Sequence, residues 1–176
     1  MKLELKHLAP YLPYGPKLFH AIIRKQLTAV SLDSPFVFCT TYLGSREKQM
    51  VNIEDIKPIL RPLSDLTKEI EHNGEKFVPL YELCKTQGFN MLPIGNWEYS
   101  YSNEFNCNTS MMKNKAWIFR FIGKDNSFFL NGICEWTEKH QKTRRHIEMV
   151  QKLFEWHFDV FGLIPQNLAI DINTLK

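Results

Sequence analysis

The segment EKHQKTRRHIEMVQKLFEWHFDVFGLI, from Glu138 to Ile164, constrains the fold more than any other stretch of the chain. Thr137 can cap a helix start and put Glu138 in the first turn, while Gly162 suits a left-handed stop. Between them the spacing predicts one helix over about 138–161. On it, Ile147, Val150, Leu153, Phe154, Trp156, Phe158, Val160 and Phe161 share an apolar arc of roughly 200°. An ordinary surface helix needs about half of that. Such a helix must be covered on both sides, either as a core helix of its own domain or by a second copy of the chain. The core helix is the reading adopted.

The rest of the chain can supply that cover. Hydrophobic residues make up 44% and aromatic residues 13% of 176 positions, enough for one buried core and too many for long disorder. The whole chain, 1–176, reads as a single α+β domain, since Pro58 and Pro62 sit in apolar context and no flexible linker appears.

At the N-terminus, Leu5, Leu8 and Leu12 have helical spacing, but Pro10, Pro13 and Pro16 limit any helix to about two turns. This opening is expected to pack as a lid. From Leu18 to Tyr42 the residues turn β-branched and aromatic, with Asp33-Ser34-Pro35 as a turn. MVNIEDIKPIL adds a short strand, a single helical turn and another strand. That series fits a small SH3-like barrel or a curled antiparallel sheet.

Two short helices are expected next: one capped by Ser64 and stopped at Asn73-Gly74, one opened by Pro79 and stopped at Gly88. Residues 89–115 read as a long connection. AWIFRFIGKDNSFFL alternates around Gly123–Asn126 and predicts a second β-hairpin. NLAIDIN reads as a closing strand after the long helix.

Chemical signatures are few. Cys39, Cys84, Cys107 and Cys134 lie far apart with no C-x-x-C pair, which favours core thiols over a metal site or a disulfide framework. No G-x-S-x-G, Walker loop, G-x-G-x-x-G or H-E-x-x-H occurs. The acidic pairs Glu54-Asp55 and Asp65/Glu69 each suit a turn or a helix start. No catalytic, cofactor-binding or metal-binding residue is assigned. His146 and His157 fall on one line of the predicted helix, yet histidines bonded to backbone carbonyls are commoner than proton relays.

Net charge is +3, which permits contact with nucleic acid without arguing for it. The candidate phosphate contacts are Lys139, Lys142, Arg144 and Arg145, at the basic start of the helix. On that helix Arg144 and Arg145 sit beside Glu148, and Glu148 precedes Lys152 by four, so a solvated face of salt pairs is favoured. Tyr99, Tyr101, Trp117, Phe119 and Arg120 could form a stacking platform, but aromatics on alternating strands more often fill cores. The start of the chain lacks the apolar region of a signal peptide, and no run reaches membrane-spanning length. The protein is expected in the compartment where it is made, away from membranes.

Three blocks carry a resemblance. LKHLAPYLPYG at 5–15, IKPILRPLSDLTKEI with NGEKFVP at 56–79, and LFEWHFDVFGLI with LAIDINTL at 153–175 resemble a family of small uncharacterised proteins encoded by phages and prophages of Bacteroidales-type gut bacteria. The blocks cover about a third of the chain. The resemblance implies a mobile-element origin and the cytoplasm of a bacterial host. It implies no activity, so no residue role is carried over. The function expected is a non-enzymatic accessory protein that binds a host or phage protein, without cofactor. A second copy of the chain, through the long apolar helix, is a further candidate partner. A nucleic-acid-binding accessory protein is the alternative, and a hydrolase with a dispersed site ranks third.

Overall fold

The β-branched and aromatic residues between Lys17 and Leu60 form strands whose order is set by the turns between them. The computed structural model describes residues 2–20, 23–31, 34–41, 48–86, 97–103, 108–113, 117–132, 141–142 and 146–175. By contacts the chain divides into two compact units. One is built from both ends, Met1–Pro62 with Leu153–Lys176, and the other from Leu63–Lys152.

In the first unit, β1 (Lys17–His20), β2 (Ile23–Val30), β3 (Phe36–Thr41) and β4 (Gln49–Asn52) run as an antiparallel meander. The Asn52 side chain accepts the Glu54 N–H at 3.0 Å and starts a 3-10 turn at Ile53–Asp55. That turn redirects the chain into β5 (Ile56–Leu60), which pairs with β1. The last strand, β13 (Ile170–Asp171), joins β5 in parallel, so the six-stranded order is β13-β5-β1-β2-β3-β4.

Over this sheet lies the N-terminal segment, α1 (Leu5–Leu8) followed by a 3-10 helix at Ala9–Tyr14. It ends at Gly15, whose φ of 57° lies in the left-handed region and whose missing Cβ leaves room for the Gln26 side chain. Leu8 and Tyr11 are completely buried among Leu18, Leu27, Val37 and Leu60. Burial of each is worth about 1.5–3 kcal/mol, so tertiary packing holds a segment too short to be helical alone.

The long C-terminal helix is not formed. The chain instead makes strand β12 at Gln141–Lys142 and then α3 over His146–Glu155 only. The stop is a Schellman cap. His157 takes φ 60°, its N–H donates to Phe154 C=O at 3.0 Å, and Phe158 N–H donates to Leu153 C=O at 2.8 Å. Leu153 and Phe158, the hydrophobic pair of that cap, are both fully buried. Beyond it the apolar run continues as extended chain: Phe158 bridges Arg61 in parallel, with Arg61 N–H to His157 C=O and Asp159 N–H to Arg61 C=O both 2.8 Å. The Asp159 carboxylate then accepts the N–H groups of Leu163 at 2.7 Å and Ile164 at 2.8 Å. Half of the predicted arc therefore belongs to a buried strap and turn. Ile147, assigned to the arc, is 72% exposed.

The second unit begins with a 3-10 turn at Leu63–Thr67, where a capped α-helix was expected. Asn73 and Gly74, expected to stop a helix, have φ 52° and 85° and form the two-residue turn of a hairpin between β6 (Ile70–His72) and β7 (Glu75–Phe77). Pro79 opens α2 (Pro79–Lys85). A five-stranded antiparallel sheet follows in the order β12-β11-β10-β9-β8, from β8 (Glu98–Ser102), β9 (Thr109–Lys113), β10 (Trp117–Ile122) and β11 (Ser127–Gly132) to β12. The predicted hairpin at 117–132 forms its centre.

The fold class expected from the sequence is thus corrected. The described chain is mostly sheet with short helices. The first sheet has a linear order with a sixth, parallel strand, in place of the small SH3-like barrel or curled antiparallel sheet. The long buried C-terminal helix is replaced by α3 and an extended strap. Both departures have one cause: β13 and the Phe158 strap are held by residues about 100 positions away, which local periodicity does not register.

Candidate functional site

Alternation along β10 gives the second unit's sheet two distinct faces. Phe119 and Phe121 point inward and are fully buried, with Phe128 of β11 beside them at ring-centroid distances of 6.0 and 4.8 Å. Met112 and Ser110 of β9 complete that face, the Ser110 hydroxyl donating to Leu63 C=O at 3.3 Å. Phe119 is therefore core, and the stacking platform proposed from the sequence is not one surface. Tyr99 and Tyr101 share the inner face at its open edge, 37% and 38% exposed, while Arg120 occupies the opposite face. The Trp117 side chain lies outside the described residues.

The outer face is unusual for a face turned away from the core. Register places Ser100, Met111, Arg120 and Phe129 on one line across four strands, with Lys142 of β12 opposite Phe129 at its end. Ile118 and Ile122 flank Arg120 along β10. Met111, Ile118, Ile122 and Phe129 are each half-buried, so an apolar surface surrounds Arg120. A strand apolar on both faces is the pattern of a sheet covered on both sides. Arg120 Nε is itself buried and has no hydrogen-bond partner among the described residues. An unsatisfied buried donor costs about 1–3 kcal/mol, which an acceptor placed over this face would recover. At the rim, Lys113 pairs with Glu98 at 3.1 Å.

Strand β8 is the sheet's edge, and Tyr101 is anchored there by its hydroxyl donating to Asn108 Oδ1 at 2.6 Å. Burial, then the neighbouring Tyr81 and Cys84, push the Tyr99 phenol above its ordinary value. Lys85 sits 4.7 Å over the Tyr81 ring and 2.6 Å from Glu82, so its charge is already engaged.

In the first unit, the core-facing side of the meander ends in a polar cluster that sequence reasoning missed. Lys25 is 4% exposed and donates to His20 Nδ1 at 3.1 Å and Gln49 Oε1 at 2.9 Å. Cys39 lies on the same face, its thiol 3.7 Å from Gln49 C=O. Burial pushes that thiol above its ordinary value, only partly countered by the Lys25 charge, so it is a poor nucleophile. A signal was present: Lys25 lies two residues from Leu27 on one strand face, a lysine where the alternation asks for an apolar residue. A cavity of about 230 Å³ elsewhere in this unit is floored by Leu3, Ile56 and Leu168. Its lysines are occupied, Lys2 by Glu54 at 3.3 Å and Lys57 by Asn167 at 2.8 Å.

Of the predicted phosphate contacts, Lys142 belongs to β12, and Lys139, Arg144 and Arg145 lie outside the described residues. His157 Nε2 meets Tyr14 C=O at 3.2 Å, and the exposed His146 ring packs edge-on against Phe128 at 5.7 Å. Among the described residues, no group of His, Cys, Asp and Glu could hold a metal ion, and no helix is long and apolar enough to cross a membrane.

The chain matches no protein-family model, no curated protein and no solved structure.

Proposed function

We propose that this protein is a phage or mobile-element accessory protein of a bacterial cytoplasm that binds a host or phage protein through the outer face of the five-stranded sheet. The observation that carries the reading is the apolar surface of Met111, Ile118, Ile122 and Phe129 around Arg120 Nε, unpartnered among the described residues. Aromatic, Met and Arg side chains are the residues enriched at the centres of protein interfaces, where one buried cation selects register. The occupant that fits is a protein segment with aliphatic or aromatic side chains around a carboxylate. Ser100, Ser102, Thr109 and Ser127 supply a polar rim.

A nucleic-acid partner is the second reading, favoured by one observation. With α3 starting at His146, Lys142 leaves the helix and stands at the sheet edge, in register with Phe129. A nucleic-acid strand along the β12 edge is the corresponding arrangement.

Affinity capture from a Bacteroidales lysate, with and without nuclease, separates the two. The wild-type chain is run beside Arg120→Gln, and the captured protein is then titrated against both in purified form. The reading expects capture indifferent to nuclease and affinity reduced about 30-fold by Arg120→Gln, the loss of an interface anchor worth about 2 kcal/mol. Unchanged affinity in the variant sinks the assignment of this face. Submicromolar binding of single-stranded oligonucleotide at physiological salt, lost with Lys142→Gln, promotes the second reading.

A further inference from the structure

The cluster around Lys25 has a chemistry that follows from hydrogen-bond polarity alone. A lysine ammonium only donates, so both of its contacts must be acceptors. His20 Nδ1, at 3.1 Å, therefore carries the lone pair, which leaves a neutral His20 with its proton on Nε2. Gln49 Oε1, at 2.9 Å, accepts as well, so what remains of that amide is its NH₂ group. Every polar hydrogen left on the three side chains is then a donor. They comprise the third ammonium hydrogen, the His20 Nε2–H and the Gln49 amide hydrogens.

The charge balance points the same way. Lys25 is 4% exposed, yet its partners are an imidazole and an amide, and among the described residues no carboxylate pairs with it. Buried cations are ordinarily matched by an acid, because desolvating an ammonium is otherwise unfavourable. Here β1, β2 and β4 converge a buried cation and two donor groups at one end of the sheet. Entry does not require opening the core, since His20 is half-buried and the Gln49 side chain is exposed at the rim.

We infer that His20, Lys25 and Gln49 form a receptor for a small oxyanion, a carboxylate or a phosphoryl group. Lys25 supplies the counter-charge, and Gln49 swings aside to admit the ligand and then donates its amide. The site is separate from the sheet face of the second unit and stands or falls without it.

The test is thermal unfolding of the full chain at pH 7.5 in sodium chloride, sodium phosphate and sodium acetate at matched ionic strength, for wild type and Lys25→Met. Wild type is expected to gain roughly 2–4 °C in phosphate, in acetate or in both, relative to chloride. A gain in phosphate alone assigns a phosphoryl ligand, and a gain in acetate alone a carboxylate. Lys25→Met should show neither gain, and in chloride it should melt within about 2 °C of wild type, because the change removes an uncompensated buried charge. Should that variant not fold, the His20 ring resonance of the wild type, assigned with His20→Gln, is followed through the same anion titrations. Saturable movement of that resonance ahead of the other histidines supports the site. Equal melting in all three salts with an unmoved His20 resonance overturns it, as does an anion gain retained in Lys25→Met.

Discussion

Replacing Tyr11 by Phe removes one oxygen from the centre of the first unit and tests how the two chain ends are tied together. The Tyr11 hydroxyl donates to Phe158 C=O at 2.6 Å and receives a longer bond from Val160 N–H at 3.4 Å. Burial, reinforced by the negative charge of Asp159, pushes the phenol far above its ordinary value, so it donates at every accessible pH. In the variant Phe158 C=O keeps the Val160 N–H at 2.9 Å, so neither backbone group is orphaned. The loss is one good hydrogen bond and part of a weak one, about 1.5 kcal/mol. The ring contacts survive, with Phe154 at 4.9 Å and Phe161 at 6.3 Å from the Tyr11 ring. Tyr11→Ala, which empties the site, should cost about 3–5 kcal/mol. Urea unfolding followed by circular dichroism should show the midpoint falling at constant m for Tyr11→Phe, and the melting temperature falling by roughly 3–6 °C. A Tyr11→Phe chain within about 0.3 kcal/mol of wild type, or as unstable as Tyr11→Ala, would refute the hydrogen bond as the tie.

Two further outcomes follow from burial. Trp156 is 6% exposed, and Trp156→Ala should destabilise by about 3–5 kcal/mol in the same urea experiment; a variant as stable as wild type contradicts its packing. Burial raises the Cys84 thiol from 9.0 to about 12, so the unfolded chain releases this proton first as pH rises. Its contribution is complete below pH 9 and is lost between 9 and 12, by about 1.4 kcal/mol per pH unit. Cys84→Ala should flatten that alkaline slope, and parallel slopes in wild type and variant would show the thiol is not buried when folded.

Some of this was legible in the residues themselves. The three prolines between 10 and 16 limit the first helix, and they do, because each fixes its own backbone wherever it lies. The alternation of WIFRFI and the turn at Gly123–Asn126 predict a hairpin, and pairing runs from Trp117↔Gly132 to Ile122↔Ser127. The apolar character of LFEWHFDVF demands burial, and Leu153, Trp156 and Phe158 are buried. What the pattern could not tell is the conformation in which they are buried. An apolar run with helical spacing also suits a short helix and a strap, and the choice rests on His157 accepting φ 60° and on Arg61 bonding the chain on both sides of Phe158. In the sequence Asn73-Gly74 suits a helix stop because the spacing before it is helical. Its left-handed geometry serves a hairpin equally well, and only the pairing of Ile70 with Phe77 decides.

The candidate sites divide in the same way. Lys142 was visible as a charge and Arg120 as part of an aromatic stretch. That the register sets them on one line with Phe129, away from Phe119, needed the pairing of five strands. Lys25, beside Arg24, has the local signature of a solvated residue. Its burial depends on β1, β3 and β4 closing around it from three separate parts of the chain. Sequence by itself determined which residues must leave water and where the backbone must turn, because those are properties of single side chains and short runs. Tertiary structure alone decided which of two locally equal conformations each segment takes, because hydrogen bonds and burial from distant residues separate them.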